Sequence, residues 1–143
     1  MADFQLGMNA KAYYGAEDTV LANLVELTNV KDVNLSLDAG EADVTTRANS
    51  GWRATAATLK EATAEFEMVW KTSDTALAAI RDAYLNGTEL AMCFLTDDKG
   101  TTGAEGPRGN WTITNFSRSE ALEEGVTISV TAKLSQFDEW VEV

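Results

Sequence analysis

Strict two-residue alternation is the feature that most narrows what this chain can fold into. In VTISVTAKL (126–134), Val126, Ile128, Val130, Ala132 and Leu134 fall on one side, and Thr127, Ser129, Thr131 and Lys133 on the other. A strand turns successive side chains to opposite faces, so this pattern predicts a strand with one apolar and one wet face. ATAEFEMVW (62–70) repeats it, with Ala64, Phe66, Met68 and Trp70 alternating with Glu65, Glu67 and Val69. NWTITNF (110–116) sets Trp111 and Ile113 against Thr112 and Thr114. ELAMCFL (89–95) is apolar on both sides and predicts a central strand covered on both faces. Further strands are predicted at 10–14, 24–29, 33–37 and 42–46. The expected fold is mainly β: an antiparallel β-sandwich or barrel. A chain of 143 residues suffices for a single domain with its own core.

One segment changes period. SDTALAAIRDAYLNG (73–87) predicts a flanking α-helix over about 73–86, with Ala76, Leu77, Ile80, Ala83 and Tyr84 as its buried stripe. Ser73 is the N-cap candidate, Asp74 suits the positive helix end, and Asn86-Gly87 is a stop signal.

Two stretches carry no pattern. The first, roughly 47–61, lies inside DVTTRANSGWRATAATLKEATAEFEMVW (43–70). Connections this long usually serve as a lid, a binding loop or an assembly arm. The second, DDKGTTGAEGPRGN (97–110), has glycines at 100, 103, 106 and 109 and the only proline, Pro107. It predicts a flexible loop. Its Lys99-Gly100-Thr101 lacks the order and spacing of a phosphate-binding loop.

Composition removes several chemistries. With 23 acids against 11 bases the net charge is −12, which opposes tight binding to the outside of nucleic acid or to an anionic membrane. The chain has no histidine, which removes Ser-His-Asp and Cys-His nucleophiles and argues against zinc. The opening MADFQLGMNAKAYY has neither a basic start nor a long apolar run, so no signal peptide and an intracellular folding environment are expected. Cys93, the single cysteine, reads as a small core residue.

The remaining candidates are weak as chemistry. Asp38, Glu41 and Asp43 in LDAGEAD read as a solvated turn between strands, because the EF-hand pattern is missing. Glu65 and Glu67 lie about 7 Å apart on one strand face. Carboxylate-pair hydrolysis stays formally open there, but no base or orienting group accompanies them. The N-x-S/T triplets at Asn34, Asn86, Asn110 and Asn115 are what Thr- and Ser-rich strands produce by chance. Trp70 and Trp111 belong to alternating strands and read as core, whereas Trp52 and Trp140 read as interface residues. No catalytic, cofactor or metal site is expected.

The residues resemble, over most of the chain, the major tail tube proteins of long-tailed bacteriophages and prophages. The likeness rests on NVKDVNLSLDAGEADVTTRANSGWRATAATLKEATAEFEM (29–68), DTALAAIRDAYLNG (74–87) and GPRGNWTITNFSRSEALEEGVTISVTAKLS (106–135). The resemblance implies a β-sandwich or barrel flanked by a helix, closing into hexameric rings that stack into a hollow tube for DNA passage. The segment 44–61 would then be a loop that orders on assembly and reaches a neighbouring ring or subunit through Thr45, Thr46, Arg47, Ser50, Trp52 and Arg53. Glu65, Glu67, Thr127, Ser129 and Thr131 would be the lumen-facing candidates. The implied partners are further copies of the chain, the tail initiator or tip, tape-measure and terminator proteins, and double-stranded DNA in transit, with no membrane. The implied location is the virion tail, after synthesis in the host cytoplasm. Alternatives of related fold are a secretion-system tube component, a tail terminator and a decoration protein.

Overall fold

The computed structural model describes residues 4–143. Its elements are β1 (Lys11–Ala16), β2 (Val25–Glu26), β3 (Val30–Asp43), β4 (Thr55–Val69), α1 (Thr75–Asn86), β5 (Glu89–Leu95), β6 (Glu105–Ser119) and β7 (Thr127–Glu142). The strands form one antiparallel sheet in the order β2-β1-β5-β6-β7-β4-β3. β4 and β5 are separated in that order by two strands, yet the Phe66 and Phe94 rings stand 6.1 Å apart. The sheet therefore rolls over its apolar face.

The alternation places this core. Ala62, Ala64, Phe66 and Met68 of β4 meet Ile128, Val130 and Ala132 of β7, with Trp111 and Ile113 of β6. Trp111 is fully buried, meets Phe94 edge-on at 5.2 Å, and donates its indole N–H to the Met92 carbonyl at 3.1 Å. β5 serves two clusters, as its unbroken apolar run predicts. Leu90, Met92 and Phe94 enter the main core, and Ala91, Cys93 and Leu95 join Tyr13, Leu24, Ala104 and Val141 on the other face. Burial pushes the Cys93 thiol up to about 12.

α1 lays Ala76, Leu77, Ile80 and Ala83 into the main core. Its N-cap is Asp74, whose carboxylate accepts from the Leu77 N–H at 3.2 Å. Ser73, the expected cap, instead takes a left-handed φ of 65° one residue earlier. Gly87 ends the helix at φ 67°, where glycine is favoured because it lacks a Cβ. Tyr84, expected in the buried stripe, is 45% exposed and stacks on Phe116.

Several boundaries differ from the sequence expectation. The stretch 33–37 and the first two residues of 42–46 belong to one strand, β3, which ends at Asp43, so 44–46, also expected as strand, fall in the tip beyond it. Gly40 within LDAGEAD marks a bulge, where the β3–β4 register shifts between Ala39 and Glu41, and not a turn. Asp38, Glu41 and Asp43 accordingly lie along a strand. The segment expected as loop over 44–61 narrows to 44–54, because β4 begins at Thr55. The strand expected at 24–29 keeps only Val25–Glu26.

The glycine-rich stretch 97–110 narrows in the same way, because β6 begins at Glu105. Pro107 is tolerated there. The Glu105 N–H and carbonyl both bond Thr96, so the Pro107 nitrogen points to the same side, beyond the last β5 pair at Arg108. Gly106 is a packing position: a Cβ there would collide with the Phe94 carbonyl.

Gly106→Ala should destabilise the fold by about 1–3 kcal/mol in denaturant unfolding, the usual range for overpacking. Gly7→Ala, whose Cβ would meet nothing within 4 Å, should stay within about 0.5 kcal/mol. Cys93 should resist a thiol reagent in the native protein and react on unfolding.

Candidate functional site

The unusual feature of the sheet is the outer half of the β3–β4 pair. From Asp38–Glu61 to Asp43–Thr55 the two strands pair only with each other, because the β4–β7 ladder starts at Thr63. Nearly every residue on this ribbon is exposed. At roughly 3.3 Å per residue, Thr55–Glu61 carries the ribbon about 20 Å beyond the core.

The tip is organised by its own sequence. The Asp43 carboxylate accepts from the Thr45 N–H at 2.9 Å, an Asx-type turn. Across the ribbon, the Ala54 N–H donates to the Thr45 hydroxyl at 2.8 Å and the Val44 N–H to the Ala54 carbonyl at 3.0 Å. Arg47–Asn49 make one 3-10 turn, then Ser50 and Gly51 take φ of 52° and 86° and reverse the chain. All six tip candidates, Thr45, Thr46, Arg47, Ser50, Trp52 and Arg53, are exposed on this one structure. Trp52 is 78% exposed. Among the described residues, Arg47 and Arg53 form no ion pair.

The second candidate set is also brought together. Register pairs Glu65 with Thr131, Glu67 with Ser129 and Val69 with Thr127, so Glu65, Glu67, Thr127, Ser129 and Thr131 share the polar face of two adjacent strands. Asn34 extends that row beside Glu65, and Asn115 and Ser117 extend it beside Thr131 and Ser129. The result is a broad polar surface of small side chains carrying two carboxylates. Among the described residues, no cluster of three potential metal ligands occurs. No helix among them is long and apolar enough to cross a membrane.

Two tryptophans separate as expected and two need comment. Trp111 is core, and Trp70 is half-buried with the Arg118 guanidinium 5.5 Å from its ring centre. Trp140 lies within β7, 42% exposed, its indole N–H bonded to the Glu105 carboxylate at 2.9 Å. Asn110 is buried and doubly bonded to Asp18, through its backbone N–H and its carboxylate, so its triplet is a packing feature.

Sequence reasoning missed an apolar groove of about 500 Å³ at the foot of the ribbon, lined by Leu37, Pro107, Leu134, Phe137 and Trp140 with Asp38, Lys60 and Glu61. Phe137 and Trp140 sit three apart, and the β6–β7 register shifts between Arg108 and Gly109 opposite them. That irregularity hides their common side from a period-two reading.

A family model described as phage tail tube protein matches residues 14–135. The chain belongs to that family, whose members are structural proteins of the tube. The fold agrees with solved structures. A chain from the tail of an empty gene transfer agent particle, refined with C6 symmetry, superposes with a TM-score of 0.74 at 17% identity, covering 98% of this chain and 99% of that one. A chain of the SPP1 tail tube gives 0.72 at 18% identity, covering 96% and 78%. A chain of the anti-feeding prophage baseplate gives 0.66 at 3% identity, covering 100% and 97%. No curated protein sequence matches significantly.

The Asp43 carboxyl is held below its ordinary 3.8 by the Thr45 hydroxyl and then by the Thr45 N–H. A lowered folded pKa adds stability that is present above the ordinary value and lost as pH falls through the lowered one. An NMR titration should find Asp43 below 3.8, and Thr45→Ala should move it back toward that value.

Proposed function

We propose that this protein is the repeating subunit of a phage tail tube, closing into hexameric rings that stack into a hollow conduit for DNA. The observation that carries this reading is the ribbon, which projects Trp52, Val44 and Leu59 into solvent, Leu59 at 88% exposure. Exposed apolar side chains grouped on one projection mark an interaction surface. The C6 symmetry of the similar gene transfer agent tail supports the hexameric ring.

In this reading the tip, through Thr45, Thr46, Arg47, Ser50, Trp52 and Arg53, contacts the next ring or subunit. The polar face with Glu65, Glu67, Thr127, Ser129 and Thr131 lines the lumen. Carboxylates there repel phosphates within about 8 Å at physiological salt, so DNA slides without adhering. The protein acts by assembly, without catalysis. Its partners are its own copies and the tail initiator or tip, tape-measure and terminator proteins, and it resides in the virion tail after synthesis in the host cytoplasm. The likeness to an anti-feeding prophage baseplate chain favours a second reading, a ring that ends or begins a tube.

Electron microscopy of the purified protein across a concentration series separates the two readings. Stacked hollow rings are expected, and assembly that halts at single rings would favour the second reading. Deleting residues 47–53 should abolish tubes while leaving the circular dichroism of the fold intact, and normal tubes from that variant would sink the arm.

A further inference from the structure

We propose that the turn between β6 and β7, residues 120–126, is the surface that receives the Trp52 tip of a second copy of this chain. The contact rests on the tube reading and deepens it by naming the surface that accepts the arm. The turn reads EALEEGV, and Ser119 pairs with Thr127 across its base. Residues 120–125 are all exposed, and Leu122 is 100% exposed.

Apolar side chains lead from the turn onto the body. The Trp70 N–H donates to the Val126 carbonyl at 2.9 Å. Arg118 lies over Trp70, 5.5 Å from its ring centre, and pairs with Glu120 at 3.4 Å. Phe116, two residues earlier on β6, stacks on Tyr84 of α1, and Leu85 next to it is 69% exposed. Leu122, Tyr84 and Leu85 thus stand in water at this end of the sheet. A large apolar ring such as that of Trp52 would find partners there, and tryptophan is a frequent interface anchor.

Charge selects the same occupant. The turn carries Glu120, Glu123 and Glu124 and no base. Glu120 is paired with Arg118, whereas Glu123 and Glu124 form no ion pair among the described residues. The tip VTTRANSGWRA (44–54) carries Arg47 and Arg53 and no acid, in a chain of net charge −12. Asp43, the acid beside the tip, turns its carboxylate to the Thr45 N–H and leaves both arginines without a partner among the described residues. Tip and turn therefore present opposite unpaired charges around an exposed apolar side chain, Trp52 on one and Leu122 on the other. Such surfaces are complementary.

Position requires a second copy. The tip precedes β4 at Thr55, and the turn lies past the other end of that strand, where Val69 pairs with Thr127. The 15 residues of β4 hold the two apart. At roughly 3.3 Å per residue that is a contour of about 50 Å, so the tip does not reach the turn of its own chain. Two different surfaces of one chain that fit each other give head-to-tail contacts, which propagate into rings or open filaments.

The test uses the full chain and reads the concentration at which tubes form. Arg47→Glu with Arg53→Glu, and Glu123→Lys with Glu124→Lys, should each raise that concentration about tenfold or more, with unchanged circular dichroism. Joining the two reversed pairs in one chain should restore assembly. Leu122→Ala should weaken assembly without touching the fold, because the side chain is fully exposed. In a separate variant, Arg53→Cys with Glu123→Cys, mild oxidation of tubes should give a ladder of linked chains on a denaturing gel, the native Cys93 being buried. Tip and turn variants that assemble like wild type would overturn the contact and leave the tube reading standing. Tip variants that fail while turn variants assemble normally, or tubes that yield no ladder, would overturn the turn as the acceptor. Wild-type protein that stays a single particle at every concentration would overturn the tube reading itself and the contact with it.

Discussion

The contact between Phe66 and Phe94 is the constraint on which the rest depends. These residues lie on strands with two others between them, so their approach to 6.1 Å forces a flat sheet to roll. Rolling encloses Met68, Trp111, Ile128 and Val130 and gives α1 a concave surface for Leu77 and Ile80. It also fixes what remains outside. β4 is longer than the core it covers, so its first residues leave the roll with only β3 as company.

The ribbon that results is built from backbone pairing without a core beneath it. Isolated two-stranded ribbons are marginal in water. Here one end is anchored by Ala62, Ala64 and Phe66 in the core, and the other is closed by the Asp43–Thr45 and Thr45–Ala54 bonds. The bulge at Gly40 twists the strand between them, and a side chain at that position would press on the Thr58 hydroxyl. Anchored at one end and exposed at the other, such a projection suits a protein whose final stability comes from neighbours of its own kind.

The acidity of the chain fits the same picture. A subunit that presents apolar side chains must stay dispersed until assembly begins, and a net charge of −12 keeps copies apart through long-range repulsion. The basic tip is an exception to that repulsion. Arg47 and Arg53 make it a basic spot without an ion pair among the described residues, on a chain that is acidic elsewhere.

Much of the body was legible in the sequence, because strands advertise themselves by alternation. The wet and apolar faces of β4 and β7, the double burial of β5, the helix and the core position of Trp111 all follow from residue type and period. The ends of strands were not legible. Glycine and proline are turn signals locally, but at Gly40, Gly106 and Pro107 the chain continues as strand, because a bulge, a close backbone approach and a vacant ladder position need those residues.

The tip residues and the polar face could be named from the sequence with the family resemblance, whereas the groove could not. Leu37, Pro107, Phe137 and Trp140 come from three strands far apart in the chain. The sequence by itself determined which side of each strand is apolar, since that depends only on neighbours two residues away. Only the tertiary structure decided where the apolar side runs out of core, because that depends on which strands the roll brings together and where each one stops.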